Sequence, residues 1–346
     1  MLTNSGIQQR IGYGSNFNKI SIIGEVLIKQ SMNSYGHQKM ENEIAFYKFL
    51  SEVKRAEPLW SEKRSFSSGS ERFLDSFPRI GSANSETNEN NIDFHVPEIF
   101  HIDSTNHTIE MRYLNTYIPL YTVFFDMSED RKQSILQKIY ENLAKLHCHQ
   151  TQVSQYVYWK DLYRETVHKI ESRLESMEHL IRKYKHVTSV NGLPLKSLEE
   201  IVTIVNSRVK EHVCQQTEYI YSLIHGDCQF NNILTDDNDK IVFIDPRGYY
   251  GDTKLYGLKE YDYAKIMFAL SGYDVFDNSK IDDVCIDGHN MIISDFLQPM
   301  SSLSPIVTTL FACIWLGNAH IFIKNETKCI TSYFIAMYYA SKYLCV

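Results

Sequence analysis

Apolar and polar positions alternate in short runs at the start of the chain, the period expected of strands. Ile20 to Ile23 and Val26 to Lys29 read as two strands turning at Gly24, and Val96 to Phe100 and His107 to Leu114 read as two more. Between these pairs the period lengthens: Met40, Ile44, Tyr47 and Leu50 predict one amphipathic helix. Asn115-Thr116 is a joint, and beyond it the helical period dominates. Ser128 caps a helix with Glu129 and Asp130 in its first turn and Ile135, Leu136, Ile139, Tyr140, Leu143, Leu146 and His147 as one apolar stripe. Further helices over 160–213 break at the turn Val190-Asn191-Gly192-Leu193-Pro194, and two long helices, about 305–322 and 326–343, close the chain. From Glu52 to about Asn91 the pattern is lost: serine, asparagine and charge dominate, and residues 54–93 read as a polar, partly disordered insertion or a lid.

The stretch from Leu223 to Gly251 combines a strand pattern with candidate chemistry. Ile233-Leu234 and Ile241 to Ile244 read as two strands of a hairpin joined by the polar turn Thr235 to Lys240. His225-Gly226-Asp227 and Asn232 precede this hairpin and Asp245 follows it, so three metal- or proton-handling groups converge at one end. Upstream, Gly12-Tyr13-Gly14 is a turn that can bring backbone amides to a phosphate, although without a third glycine it fits an ordinary hairpin turn as well. Lys29 on its strand and Glu43 on its helix are placed to pair and hold the lysine for a phosphate, or to stand as two solvated charges; Glu41 competes with Glu43 for that place.

Composition narrows the classes. A chain of 346 residues with 43% hydrophobic and 22% charged residues has material for one large or two modest cores, which excludes global disorder. A net charge of -7 argues against nucleic acid as a partner, because phosphate backbones select basic surfaces. The seven cysteines are scattered, with no C-x-x-C pair, and the first 20 residues lack a secretory pattern, so a reducing, cytoplasmic setting is expected. Ile306 to Ile323 is apolar enough to raise a membrane span, yet Gly317, Asn318 and His320 interrupt it and Ser304-Pro305 reads as an N-cap with a first-turn proline. A buried helix, without stable membrane insertion, is the expectation. His147-Cys148-His149 is not read as a metal site, since three successive helical side chains diverge.

The order of glycine turn, strand Lys29, helix Glu43, H-G-D-x-x-x-x-N-I-L and I-D resembles the aminoglycoside phosphotransferase and choline kinase family over nearly the whole chain outside the insertion. The resemblance implies an α+β, bilobal protein-kinase-like fold. A small antiparallel-sheet N-lobe with one main helix would occupy residues 1–114 and a larger, mostly helical C-lobe residues 115–346. It implies transfer of the ATP γ-phosphate to a hydroxyl of a small molecule, a sugar, amino alcohol or related metabolite. Asp227 matches the proton acceptor, His225 a support of the catalytic loop, and Asn232 and Asp245 the ligands of magnesium. Lys29 matches the phosphate lysine, Glu43 the glutamate that orients it, Gly12 and Gly14 the glycine turn, and Met111 and Tyr113 the hinge strand facing adenine. Asp262 matches an aspartate that braces the catalytic loop, and with Arg247 it is a candidate substrate contact.

Asp245-Pro246-Arg247-Gly248 departs from the family and is similar to a variant in members associated with surface-polysaccharide synthesis. There Arg247 either contacts a phosphate or acidic substrate or pairs with a nearby carboxylate. Asp252, Glu260, Asp274, Asp277, Asp282, Asp283 and Asp287 form a solvated acidic face or help to bind a cationic acceptor. The alternative to an enzyme is a nucleotide-binding pseudokinase acting as a regulatory or scaffold module, a reading that loss of Asp227, Asn232 or Asp245 would have favoured; all three are present.

Overall fold

The computed structural model describes residues 17–55, 94–281, 283–293 and 304–344. Gly12, Gly14, Asp282 and nearly all of the 54–93 insertion lie outside the described residues.

Strands β1 (Asn18–Ile23) and β2 (Val26–Ser31) pair antiparallel through a turn at Gly24, whose φ of 59° suits glycine. Helix α1 (Ser34–Arg55) follows. It buries Met40, Ile44, Tyr47 and Leu50 at the predicted spacing, and Phe46 and Glu43 as well, so it is covered by more than a single apolar stripe. Strands β3 (Ile99–Asp103) and β4 (Thr108–Arg112) complete a four-stranded antiparallel sheet in the order β1-β2-β4-β3.

The chain then crosses over: β5 (Ile118–Pro119) pairs not with that sheet but with the first strand of the hairpin at Ile233 to Phe243. In α2 (Glu129–His147) the Ser128 hydroxyl accepts from the Arg131 N–H as the sequence predicts. Ile135, Ile139, Leu143 and Leu146 are buried, while Leu136 and Tyr140 are only partly so. Next come β6 (Gln150–Gln152), α3 (Gln155–Glu165), α4 (Val167–Leu174) and α5 (Glu178–Lys183). The predicted break is a tight hairpin, β7 (Ser189–Val190) and β8 (Leu193–Pro194), with Asn191 and Gly192 both at positive φ as a two-residue turn requires. Helix α6 (Leu198–Gln215) begins with a capping box between Ser197 and Glu200.

The Leu223–Gly251 stretch and its flanks run from β9 (Ile220–Leu223) through the hairpin β10 (Ile233–Thr235) and β11 (Ile241–Phe243) to the short strands β12 (Tyr249–Tyr250), β13 (Thr253–Lys254) and β14 (Tyr256–Gly257). Helices α7 (Lys259–Leu270) and α8 (Tyr273–Asn278) and the pair β15 (Ile286–Asp287) and β16 (Asn290–Met291) lead to α9 (Pro305–Asn318) and α10 (Glu326–Tyr343). Pro305 opens α9 as predicted, but Ser304 makes no capping hydrogen bond with its side chain. Pro305–Phe322 is long and apolar enough to cross a membrane by composition, yet 72% of that window is buried within the protein. It is the central helix of the C-lobe, where the Trp315 indole N–H donates to the Ser271 hydroxyl at 2.9 Å.

Two cores result. One fills the C-lobe around α6, α7, α9 and α10. The other joins α1 and the N-lobe sheet to α2 and the β10–β11 hairpin, through residues such as Ile44, Phe94, Ile139 and Phe243. The β10–β11 hairpin is therefore clamped by packing shared between the lobes.

Candidate active site

Lys29 and Glu43 meet because β2 and α1 bring them face to face. The Lys29 ammonium donates to Glu43 Oε2 at 2.8 Å and to Asp245 Oδ1 at 2.5 Å, although Asp245 is 216 residues away in sequence. Burial alone would lower the lysine pKa, but the Asp245 and Glu43 carboxylates outweigh it and raise the value. Burial pushes Glu43 up to about 7, with Lys29 opposing and Asp245 adding to the shift. Glu41 lies elsewhere, 3.2 Å from the imidazole of His107.

Asp227 and Asn232 are held by the loop between β9 and β10. The Asn232 amide donates to the Asp227 backbone carbonyl at 2.9 Å and to its Oδ2 at 3.1 Å, which fixes which end of the amide is nitrogen and turns its oxygen away from Asp227. The Ile244 N–H donates to the Asn232 carbonyl, tying the residue before Asp245 to the first motif. Asp245 itself has φ 55° and keeps 43% of its side chain exposed. The Asp245 carboxylate and the Asn232 side-chain oxygen are donors of the kind that suits a hard divalent cation retaining several waters. Among the described residues no three His, Cys, Asp or Glu side chains converge as a richer metal site.

His225 has both ring nitrogens engaged. Its Nδ1 accepts from the Asp227 N–H at 3.2 Å, so the proton is on Nε2, which donates to the Ile244 carbonyl at 3.0 Å. Burial lowers its pKa, in keeping with a neutral ring that joins the two motifs. Asp262 accepts from the His225 and Gly226 N–H groups at 3.0 and 2.7 Å and lies 2.9 Å from His147. With no exposed surface it braces the loop, and a substrate contact does not fit it. His147, placed on the apolar stripe by the sequence, is buried for this contact rather than for packing alone.

Lys265 was not singled out by the sequence. Its ammonium lies 2.8 Å from Asp227 Oδ1. Burial works against the charged Asp227, but Lys265 more than offsets it and the carboxylate pKa is lowered. Asp161 and Glu165, four apart on α3, were missed as well: Asp161 accepts from the Asp252 N–H at 2.8 Å and the Thr253 hydroxyl at 2.6 Å, and Glu165 from the Gly251 N–H at 3.2 Å. Their i,i+4 spacing on a helix was the available signal, though it is common to any exposed helix face.

Arg247 takes the second of its two predicted courses. Its guanidinium forms a two-pronged pair with Glu165, donates to the Tyr261 hydroxyl at 2.6 Å and lies over the Tyr249 ring. Gly248, at φ 69°, follows because a Cβ there would run into the Asn42 carbonyl of α1. In the hinge strand, Met111 is buried in the shared core and the Tyr113 N–H is spent on the Glu25 carbonyl at 2.7 Å. Of the acidic face, Asp274 is fully buried, accepting from the Phe230 N–H at 3.0 Å.

The two-lobed α+β fold, with a lysine–glutamate pair in the small lobe and Asp227, Asn232 and Asp245 on the large one, is protein-kinase-like, and the family to which the chain belongs makes it an ATP-dependent phosphotransferase with a hydroxyl acceptor. The fructosamine kinase family model matches residues 89–268, about half of the chain, and the chain belongs to that family. An aminoglycoside phosphotransferase, APH(2'')-IIIa in complex with GDP and kanamycin, is similar in fold at 12% identity and TM-score 0.50, covering 98% of this chain and 95% of its own. The choline kinase LicA from Streptococcus pneumoniae gives 12% identity and TM-score 0.47, covering 98% and 94%. No curated protein matches in sequence. The resemblance to aminoglycoside phosphotransferases and choline kinases holds at the level of the fold, and the family model that matches the chain is that of the fructosamine kinases.

Proposed function

We propose that the protein transfers the ATP γ-phosphoryl group to a hydroxyl of a sugar, amino alcohol or related small metabolite, with Asp227 as the proton acceptor. The observation that carries the reading is Lys29, whose ammonium bridges Glu43 at 2.8 Å and Asp245 at 2.5 Å. Lys29 and Asp245 neutralise each other at rest. Nucleotide phosphates then compete for Lys29, leaving Asp245 free to turn to a cation, while Glu43 keeps the lysine in place. Asn232 and Asp245 would hold a magnesium ion, whose charge would neutralise the phosphates.

Asp227 is a weak base with a lowered pKa, which suits phosphoryl transfer. In a loose transition state the acceptor proton leaves late, and the carboxylate mainly aims the hydroxyl. Lys265 and Asn232 hold one oxygen of that carboxylate each. The family name points to a fructosamine, an amine-bearing sugar, as one member of the acceptor class. A link to surface polysaccharide rests on Asp245-Pro246-Arg247-Gly248 alone.

The test is Asp227→Ala assayed by ADP release over a panel of sugars, amino alcohols and aminoglycosides. Turnover should fall about 10²–10⁴-fold, the range for a lost acid–base group, with ATP affinity little changed. Wild-type protein that binds ATP with magnesium but releases no ADP with any acceptor would support the pseudokinase reading instead.

A further inference from the structure

The charges behind Asp227 do not balance. Lys265 meets Asp227 at 2.8 Å, and one turn back on the same face of α7 Tyr261 receives the Lys169 ammonium at 3.2 Å and the Arg247 guanidinium at 2.6 Å. Residues four apart on a helix share one face, about 6 Å apart at Cβ, so the Tyr261 hydroxyl with Lys169 and the Lys265 ammonium with Asp227 hang from the same side of α7. The carboxylate nearest Lys169 is Glu165, at 3.2 Å, and Glu165 is already the two-pronged partner of Arg247. The other strong influences on Lys169 are the cations Arg247, Lys265 and Arg173. Three cations, Lys169, Arg247 and Lys265, thus face two carboxylates, Glu165 and Asp227, and Arg173 adds a further positive charge on the Lys169 side. Asp274, which also reaches Lys265, accepts from the Phe230 N–H.

Lys169 is built into this place. Its aliphatic stem lies on α9 at Gly317, where a Cβ would stand 3.0 Å from the lysine Cγ and Cε, and the Gly317 carbonyl accepts from Arg173 at 3.0 Å. Yet the strip stays partly open, with 10% of the Lys169 side chain, 17% of Arg247, 9% of Lys265 and 32% of Asp227 exposed. Burial first, and then the cations Arg247, Lys265 and Arg173, bring the Lys169 pKa down to about 8 against the opposing pull of Glu165.

Resting on the kinase reading, we propose that the acceptor carries an anionic group, a phosphate or a carboxylate, that seats on Lys169 while its hydroxyl faces Asp227. The anion supplies the missing counter-charge, and its attachment to Lys169 sets which hydroxyl reaches the carboxylate. Lys265, between the two, spans from the acceptor to the transferred phosphoryl group.

The experiment is ADP release with matched acceptors: glucose against glucose 6-phosphate and gluconate, glycerol against glycerol 3-phosphate, and choline and fructosamine as cationic members. The anionic members should be favoured by about tenfold or more in kcat/KM, the worth of one charge-assisted contact. Lys169→Gln should erase that preference by raising the acceptor KM with the ATP KM unchanged, and Lys169→Arg should keep it; phosphates favoured over gluconate, or the reverse, distinguish the two anions. A preference for neutral or cationic acceptors, or an unchanged KM in Lys169→Gln, overturns the proposal while leaving the kinase reading intact. If no panel member turns over, inorganic phosphate is titrated onto protein saturated with a non-hydrolysable ATP analogue and magnesium. A rise in melting temperature in wild type and Lys169→Arg that is absent in Lys169→Gln supports the proposal, and no rise overturns it. Failure to bind the ATP analogue, by contrast, is failure of the kinase reading.

Discussion

Asp274 supports the catalytic loop with one carboxylate oxygen on the Phe230 N–H, and its other oxygen has no hydrogen-bond partner among the described residues. Burial, with Asp277 and Asp227 adding to it, raises its pKa to about 8. The sign follows directly. The folded state holds this proton between the ordinary carboxylate pKa and about 8, while the unfolded chain has already released it. The protonated form therefore contributes stability that is whole at acidic pH and is lost as pH rises through that window, with a slope of up to about 1.4 kcal/mol per pH unit. Asp274→Asn keeps an acceptor for Phe230 and removes the titration. Urea unfolding at pH 5 to 8 should show the variant gaining on wild type as pH rises, and a pH-independent difference would mean that Asp274 stays ionised in the fold.

The elements that hold the site are two helices pressed on one loop: α1 from the small lobe and α3 from the large one. Gly248 is where the loop touches α1, and both its φ of 69° and the Asn42 carbonyl against it exclude a side chain. Gly24, at φ 59°, has open space where a Cβ would be. Gly24→Ala should accordingly cost about 1 kcal/mol of backbone strain, whereas Gly248→Ala should cost about 2–4 kcal/mol, read by chemical denaturation, and lower kcat by displacing Asp245. The same contrast explains what the sequence shows and what it conceals. The β10–β11 hairpin, the Ser128 cap and the α1 stripe are written in local period and capping chemistry, and they are found within a residue or two of their predicted limits. Glu165, Lys169 and Lys265 sit on helices with nothing local to mark them. Their meaning comes from helix packing that brings α3, α4 and α7 to one side of Asp227. Arg247 was visible as an oddity, but its choice of Glu165, 82 residues away, is a tertiary fact.

At the scale of the whole molecule, the lobes are joined by a core and not only by the 113–117 crossing. Phe94 is the centre of that joint: its ring meets Phe46 of α1 at 6.4 Å, Phe243 of β11 at 4.8 Å and His225 at 6.4 Å, and it is 1% exposed. Trp315 is equally buried, but in the other core, against Phe268, Tyr273 and Tyr339 of the C-lobe. Phe94→Ala and Trp315→Ala should each lose about 3–5 kcal/mol of stability, because both leave a large cavity. Their kinetics should part. Phe94 packs α1, which carries Glu43, against the ring that joins the two catalytic motifs, so its loss should raise the ATP KM and lower kcat even at temperatures where the variant is fully folded. Trp315→Ala, compared under the same conditions, should keep the wild-type ATP KM. Equal ATP KM values for the two variants would show that the shared core serves stability alone, and that the nucleotide site is set within the small lobe.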